Sequence, residues 1–111
     1  MNKLLRRKRL FTAVLAFDDM TAFGAIRALT RVGRKVPEDC SVVGFDDLMA
    51  GAYYNPPLTT VSQSMEELGK IGITMLLDRL ATAKDKEDTG IKAIHTELKP
   101  LLVIRDSTTA I

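Results

Sequence analysis

The chain has 111 residues and a mass of 12.2 kDa, which suits one compact domain and excludes a multidomain enzyme. Its 16 Lys and Arg residues against 14 Asp and Glu residues give a net charge of +2, too small to indicate nucleic-acid binding by itself. A single Cys excludes an internal disulfide framework, and no apolar run approaches the roughly 20 residues of a membrane span.

The chain begins with a basic run, residues 3–9, in which five Lys and Arg side chains surround Leu4 and Leu5. Since it lacks interleaved aromatic residues and a recognition-helix pattern, we favour a solvated helix face with two core leucines over a phosphate-binding arm. The run also lacks the long apolar segment of a signal peptide, so we expect a soluble, cytoplasmic α/β domain.

A strand–helix–strand unit is predicted over residues 12–46. Residues 12–17 form a short apolar run without alternation, which is typical of a parallel strand buried on both faces. The helix that follows has apolar residues at helical spacing, Asp18 or Asp19 as its N-cap and Gly33 at its end. A second buried strand over residues 40–45 completes the unit, with a right-handed parallel crossover.

After this unit, residues 48–58 predict a helical turn and an extended segment, and residues 59–61 a short β-branched strand. A helix follows, with Ser64 and Glu67 as its capping box and Glu66 and Lys70 as a surface pair. Its apolar face carries Met65, Leu68, Gly72, Met75, Leu76 and Leu80.

The last quarter of the chain contains less pattern. Residues 82–90 predict a charged surface loop. Residues 93–98 and 101–104 predict two short strands, or one bent strand, on either side of Pro100.

The most informative feature is that both predicted parallel strands end in an Asp-Asp pair, Asp18-Asp19 and Asp46-Asp47. Ligands of open α/β sheets bind outside the carboxyl ends of the strands. We therefore expect Asp18 and Asp46 side by side at one edge, where they can accept hydrogen bonds from ligand hydroxyls. In the alternative, each first Asp caps a helix and each second one lies in solvent; the residue types support both equally.

The carboxylates also allow a Mg²⁺ site, but the Lys and Ser/Thr that phosphoryl-transfer folds need at later strand ends have no clear equivalent here. His95 is the only histidine and has no Cys or second His at metal-ligand spacing. Cys40 precedes a strand without a nearby His and is expected to pack as a small hydrophobe. Since catalytic motifs are also absent, we expect no enzyme, no cofactor and no metal.

Three segments, in consistent order and spacing, resemble the lactose/galactose-repressor (LacI/GalR) family of transcription regulators. They cover residues 16–29, 36–47 and 55–63. The resemblance implies an α/β fold with a partial, truncated, doubly wound parallel sheet of the type I periplasmic-binding-protein kind. It identifies the chain as the C-terminal portion of an effector-binding domain. It assigns residues 12–61 to the second lobe, residues 62–100 to the first lobe, and residues 101–111 to the second lobe again.

The resemblance also implies a small-molecule effector, usually a sugar, on which two lobes close. The closure acts on operator DNA through a paired helix-turn-helix headpiece that this sequence lacks. The implied ligand-binding residues are Asp46, Asp18, Met65 and Phe17. Members of the family commonly carry Asn at the position of Asp18. An Asp there keeps the acceptor oxygens but loses the amide donor.

Tyr53 and Tyr54 lie beside Gly51 and a Pro-Pro pair, where an interface and packing within the domain are equally supported. The resemblance favours the interface, and it implies a homodimer or higher homo-oligomer through Phe23, Met49, Tyr53 and Tyr54. No membrane partner is expected. The alternatives are a fragment of a sugar-transporter solute-binding protein, and a stand-alone oligomerisation module that associates through an exposed strand edge.

Overall fold

A computed structural model describes residues 1–6, 10–83 and 94–110. Within them the helices are α1 (Asn2–Arg6), α2 (Asp19–Arg31), α3 (Met49–Tyr53) and α4 (Met65–Ala83). The strands are β1 (Ala13–Leu15), β2 (Ser41–Val43), β3 (Thr60–Ser62) and β4 (Leu101–Val103). The chain divides into two compact units: unit 1 comprises Met1–Ser62 and Leu101–Ile111, and unit 2 comprises Gln63–Pro100.

The predicted strand–helix–strand unit is confirmed in unit 1. β1 and β2 pair in parallel, and α2 joins them. The helix begins after Asp18, whose side chain accepts a hydrogen bond from the amide of Thr21 at 2.6 Å. It ends before Gly33, whose φ of 78° is the left-handed conformation that glycine adopts without a steric penalty.

The core of unit 1 forms where α2 packs against β2. Its buried members are Ala16, Ala22, Phe23, Ile26, Leu29, Cys40, Val42 and Leu58. Cys40 is buried among them, which confirms its predicted packing, and burial raises the pKa of its thiol. From the basic run, Leu5 packs on this core while Leu4 stays exposed; residues 7–9 lie outside the described residues.

The prediction that β1 is buried on both faces is wrong. Ala13 and Leu15 are exposed, Leu15 by 77%, and only Val14 packs against the core. Successive side chains of a strand point to opposite faces, and among the described residues the core covers only one face of β1. The apolar run therefore predicted the strand correctly but not its burial.

β3 and β4 pair antiparallel in a second small sheet. β3 lies within one residue of the strand predicted over residues 59–61, and a bridge between Val43 and Thr59 connects it to β2. Residues 94–100 form no strand, so the described part of the strand predicted over residues 93–98 is absent.

Unit 2 contains α4, where Lys70 and Glu66 form the predicted ion pair at 2.6 Å. Ser64 has a φ of 50°, which differs from the extended backbone typical of a capping-box residue. The apolar side chains predicted for one face of α4 include Met65 and Leu68, and both are exposed. The loop predicted over residues 82–90 lies outside the described residues from position 84 onward. No helix in the described ranges is long and apolar enough to cross a membrane.

Candidate ligand-binding edge

The two Asp-Asp pairs follow β1 and β2 at equivalent positions. Hydrogen bonding between the two chain segments continues beyond the strands, because the amide of Asp19 donates to the carbonyl of Phe45 at 2.9 Å. Asp18 and Asp46 each lie three residues past a strand end in this parallel arrangement. Both aspartates are therefore at the carboxyl edge of the same sheet, the edge at which open α/β sheets bind ligands.

Asp18 is a partly exposed carboxylate at the first turn of α2. Hydrogen bonds from the Thr21 side chain and amide hold the pKa of Asp18 below its ordinary value of 3.8. The carboxyl is consequently ionised at neutral pH and accepts hydrogen bonds only. A carboxylate has about four acceptor positions, so helix capping and ligand contact are compatible roles for Asp18.

The lowered pKa makes a test by pH possible with Asp18→Asn. The ionised Asp18 stabilises the folded chain above its unfolded pKa, and this stabilisation is lost as the pH falls through the folded pKa. Asn also caps helices but does not titrate. We expect the stability difference between wild type and Asp18→Asn to be constant near neutrality and to shrink below about pH 4. Urea unfolding across the acid range measures it, and a constant difference throughout would contradict the prediction.

The second aspartate of each pair does not lie in solvent, so that part of the capping interpretation is wrong. Asp19 is fully buried. Its Oδ1 accepts a hydrogen bond from the Thr60 hydroxyl at 2.5 Å, and its Oδ2 accepts one from the Leu48 amide at 2.7 Å. The physical reason is that a buried carboxylate needs hydrogen-bond donors, and the loop after β2 and the strand β3 supply them.

Asp47 is half-buried and pairs with Arg105. The Nη2 atom of Arg105 donates to Asp47 Oδ1 at 2.7 Å, and its Nη1 atom donates to the Leu58 carbonyl at 2.8 Å. The backbone amide of Arg105 also donates to the Thr59 hydroxyl oxygen at 2.9 Å. The guanidinium is thus fixed from two sides. No local pattern pointed to Arg105 or Thr60, because their partners lie 58 and 41 residues away.

Phe17 is 88% exposed and lies on an open groove of about 590 Å³ in unit 1. The groove is bordered by α1, β1 and α2. Its lining residues are Met1, Leu4, Val14, Leu15, Ala16, Phe17, Thr21, Gly24, Ala25, Arg27, Ala28 and Arg31. Neither Asp18 nor Asp46 lines it. Phe17 therefore borders a surface that lies beside the carboxyl edge and is distinct from it.

Met65 is the first residue of α4 in unit 2 and is 60% exposed.

The residues predicted for the dimer interface all lie in unit 1. Phe23 is buried and stacks on Tyr54 with 4.3 Å between ring centroids, while the Tyr54 hydroxyl donates to the Phe23 carbonyl at 3.2 Å. Phe23 consequently offers little surface to a second chain. Met49 and Tyr53 are 79% and 83% exposed, so the predicted interface depends on these two side chains.

His95 is exposed, and its Nε2 atom lies 3.1 Å from Glu97 Oε1. Across residues 1–6, 10–83 and 94–110, no group of three or more His, Cys, Asp or Glu side chains is arranged to hold a metal ion.

The chain belongs to the periplasmic binding protein-like domain family, which matches residues 1–108. Within that family it is a fragment of the effector-binding domain of a LacI/GalR-type transcriptional regulator. The fold class and the family resemblance predicted from the sequence are thereby confirmed.

The HTH-type transcriptional repressor PurR of Haemophilus influenzae (strain KW20 / Rd) is 42% identical over 112 residues, which cover 100% of this chain and 32% of the repressor. The LacI family transcriptional regulator from Arthrobacter sp. FB24 in complex with lactose is 36% identical. Its TM-score is 0.82, with 96% of this chain and 38% of that one covered. The lac repressor dimer bound to operator and the anti-inducer ONPF is 36% identical, with a TM-score of 0.83. The match covers 97% of this chain and 35% of that one. The chain thus spans 32% of the length of this curated relative.

Proposed function

We propose that this chain supplies part of the small-molecule effector site of a LacI/GalR-type repressor. Asp18 and Asp46 act as hydrogen-bond acceptors at the carboxyl edge of the β1–β2 sheet, and the ligand contacts of Phe17 and Met65 stay predictions from the sequence. The observation that carries the proposal is that Asp18 and Asp46 follow two paired parallel strands at equivalent positions on one sheet edge. Two hydrogen-bond acceptors at one sheet edge suit a binding role.

A sugar is the effector class that the acceptor chemistry favours. Carboxylate oxygens accept hydrogen bonds, so they favour a ligand that brings several donors, as a sugar does with its hydroxyl groups. The Arthrobacter regulator is in complex with lactose, the transcriptional regulator CelR is in complex with cellobiose, and the LacI family regulator from Enterococcus faecium has bound ribose. Purine nucleobases, with ring N–H donors, are the second candidate because the curated relative is named PurR. As part of a repressor, the chain would act in the cytoplasm.

A ligand panel tests this proposal on the 111-residue chain. The panel contains lactose, cellobiose and ribose in one arm, and hypoxanthine and guanine in the other. We expect one ligand to bind, and Asp46→Asn to weaken its binding by about tenfold or more, since a hydrogen bond to a charged group is worth roughly 1.5–3 kcal/mol. Asn tolerates the left-handed backbone of position 46, so the loop conformation is retained.

The matched control is Asp106→Asn, which removes an exposed carboxylate elsewhere in unit 1. Calorimetric titration of the three chains should give the same affinity for wild type and Asp106→Asn. Equal affinity in wild type and Asp46→Asn would remove Asp46 from the site.

We also propose that α3 forms part of a homodimer interface. Met49 and Tyr53 are exposed on this short helix, and tyrosines are enriched in protein interfaces. The lac repressor neighbour is a dimer. We expect wild type to sediment as a dimer and Tyr53→Glu as a monomer. Ile73→Glu, which alters an exposed apolar residue of unit 2, is the control and should sediment as wild type does. A Tyr53→Glu chain that remains dimeric would exclude this surface.

A further inference from the structure

The loop that carries Asp46 has an unusual backbone. Asp46 has a φ of 106° and Asp47 a φ of 54°, so two consecutive residues other than glycine adopt positive φ angles. Such conformations are sparsely populated in proteins, and they persist when neighbouring structure holds them. The loop therefore requires contacts from outside itself.

Three elements provide these contacts. From α2, the carboxylate of Asp19 accepts the hydrogen bond of the Leu48 amide at 2.7 Å. From β3, the Val61 carbonyl accepts the bond of the Asp46 amide at 2.9 Å. From the segment after β4, Arg105 pairs with Asp47. The loop is thus held at both of its unusual residues and at the residue that follows them.

Among the residues that contact the loop, Asp19 is itself held by several hydrogen bonds. Its second carboxylate oxygen accepts from the Thr60 hydroxyl, and its own amide donates to the Phe45 carbonyl. The carboxylate also lies where a side chain at Gly44 would otherwise be, because a Cβ there would stand 2.2 Å from Asp19 Oδ1. Only glycine at position 44 leaves room for this arrangement.

The same contacts connect the loop to both places where the chain passes between units. The chain leaves unit 1 after Ser62, the last residue of β3, and re-enters it at Leu101, the first residue of β4. Val61 lies on β3, and Arg105 lies two residues beyond β4. Displacement of the loop would therefore act directly on both connecting strands.

We infer that Asp19 is a positioning residue for the ligand contact of Asp46, and that Arg105 supports it from the other side of the loop. Asp19 contacts no ligand itself; it fixes the backbone from which the Asp46 side chain projects. The inference rests on the proposed function insofar as Asp46 contacts the effector. Its effect on the loop, however, is measurable without any ligand.

Amide hydrogen exchange in the full 111-residue chain tests the inference. We expect Asp19→Asn to accelerate exchange at Asp46 and Leu48 by about tenfold, since the loop loses one charge-assisted hydrogen bond. Exchange at Ala16, whose amide bonds to the Val43 carbonyl in the β1–β2 ladder, should change little. Acceleration of the Ala16 amide by the same factor would mean that Asp19 has a general structural role, and would overturn the inference.

A second variant keeps the test decisive if Asp19→Asn does not fold. Arg105→Gln removes the ion pair at a half-buried position and should accelerate exchange at Asp46 about threefold to tenfold, with Asp106→Asn as the neighbouring control. Unchanged exchange at Asp46 in Arg105→Gln would contradict the supporting role.

A titration with the panel ligand that binds wild type separates this inference from the proposed function. Weaker binding by Asp19→Asn, together with faster amide exchange at Asp46 and Leu48, supports both the inference and the proposed function. Local acceleration with no ligand bound by wild type supports the positioning of the loop and contradicts the proposed function. Unchanged binding in an Asp19→Asn chain whose loop exchanges faster would contradict the link between loop and ligand.

Discussion

Gly44→Ala is expected to destabilise the chain by about 3 kcal/mol, the upper part of the range for overpacking a buried site. A Cβ at position 44 would stand 2.2 Å from Asp19 Oδ1 and 2.9 Å from Leu58 Cδ2. Both neighbours are fully buried, and the Asp19 carboxylate is held by two hydrogen bonds, so neither can move aside cheaply. Urea unfolding followed by circular dichroism measures the loss.

Gly24→Ala is the matched control for this substitution. Gly24 lies inside α2, and a Cβ there would meet nothing within 4 Å. Alanine is the better helix former, so the control should be unchanged or more stable by up to about 1 kcal/mol. If Gly44→Ala unfolded at the same urea concentration as Gly24→Ala, the close approach of Asp19 to Gly44 would be wrong.

Leu58→Ala has the second largest expected effect, a loss of about 2–5 kcal/mol. Leu58 is fully buried in the core of unit 1, and its amide donates to the Gly51 carbonyl at 2.8 Å. Truncation leaves a cavity between α3 and the residues that fix the Asp46 loop. The same unfolding experiment measures the change in the free energy of unfolding.

Leu15→Ala removes the same atoms from an exposed position on β1 and serves as the control. It should cost less than about 1 kcal/mol, because the side chain is already in contact with water. A comparable loss in both variants would show that the outer face of β1 is covered in solution, for example by a second copy of the chain.

The strand–helix–strand unit could be predicted because its signals are local. Asp18 caps α2 through a residue three positions away, and Gly33 supplies the left-handed turn at its end. The parallel pairing followed from the connection through a helix. The burial of β1 could not be read from its apolar composition, since burial depends on which other elements cover the strand.

The candidate site was predicted in part. The paired aspartates identified the sheet edge, but their division of roles depends on contacts that are distant in sequence. Asp19 is buried because Thr60, 41 residues further on, donates to it. Asp47 is held by Arg105, 58 residues further on. Composition and periodicity carry no information about such pairs.

The residues predicted for the dimer interface include both buried and exposed side chains, and the sequence could not distinguish them for a similar reason. Phe23 lies on the apolar face of α2, and helical spacing does not distinguish a core position from an interface position. Its stacking on Tyr54, 31 residues further along the chain, makes it a core residue of unit 1. Met49 and Tyr53 remain on the surface.

Backbone chemical-shift mapping with the bound panel ligand tests most directly whether Asp18 and Asp46 form the ligand-binding edge. We predict that the largest amide shift changes fall at Asp18, Asp19, Asp46 and Asp47. At the ligand concentration that half-saturates the wild type, these changes should be much smaller in Asp46→Asn and unchanged in Asp106→Asn. Largest changes along the groove beside Phe17 and Arg31, with the two Asp-Asp pairs unperturbed, would contradict the assignment.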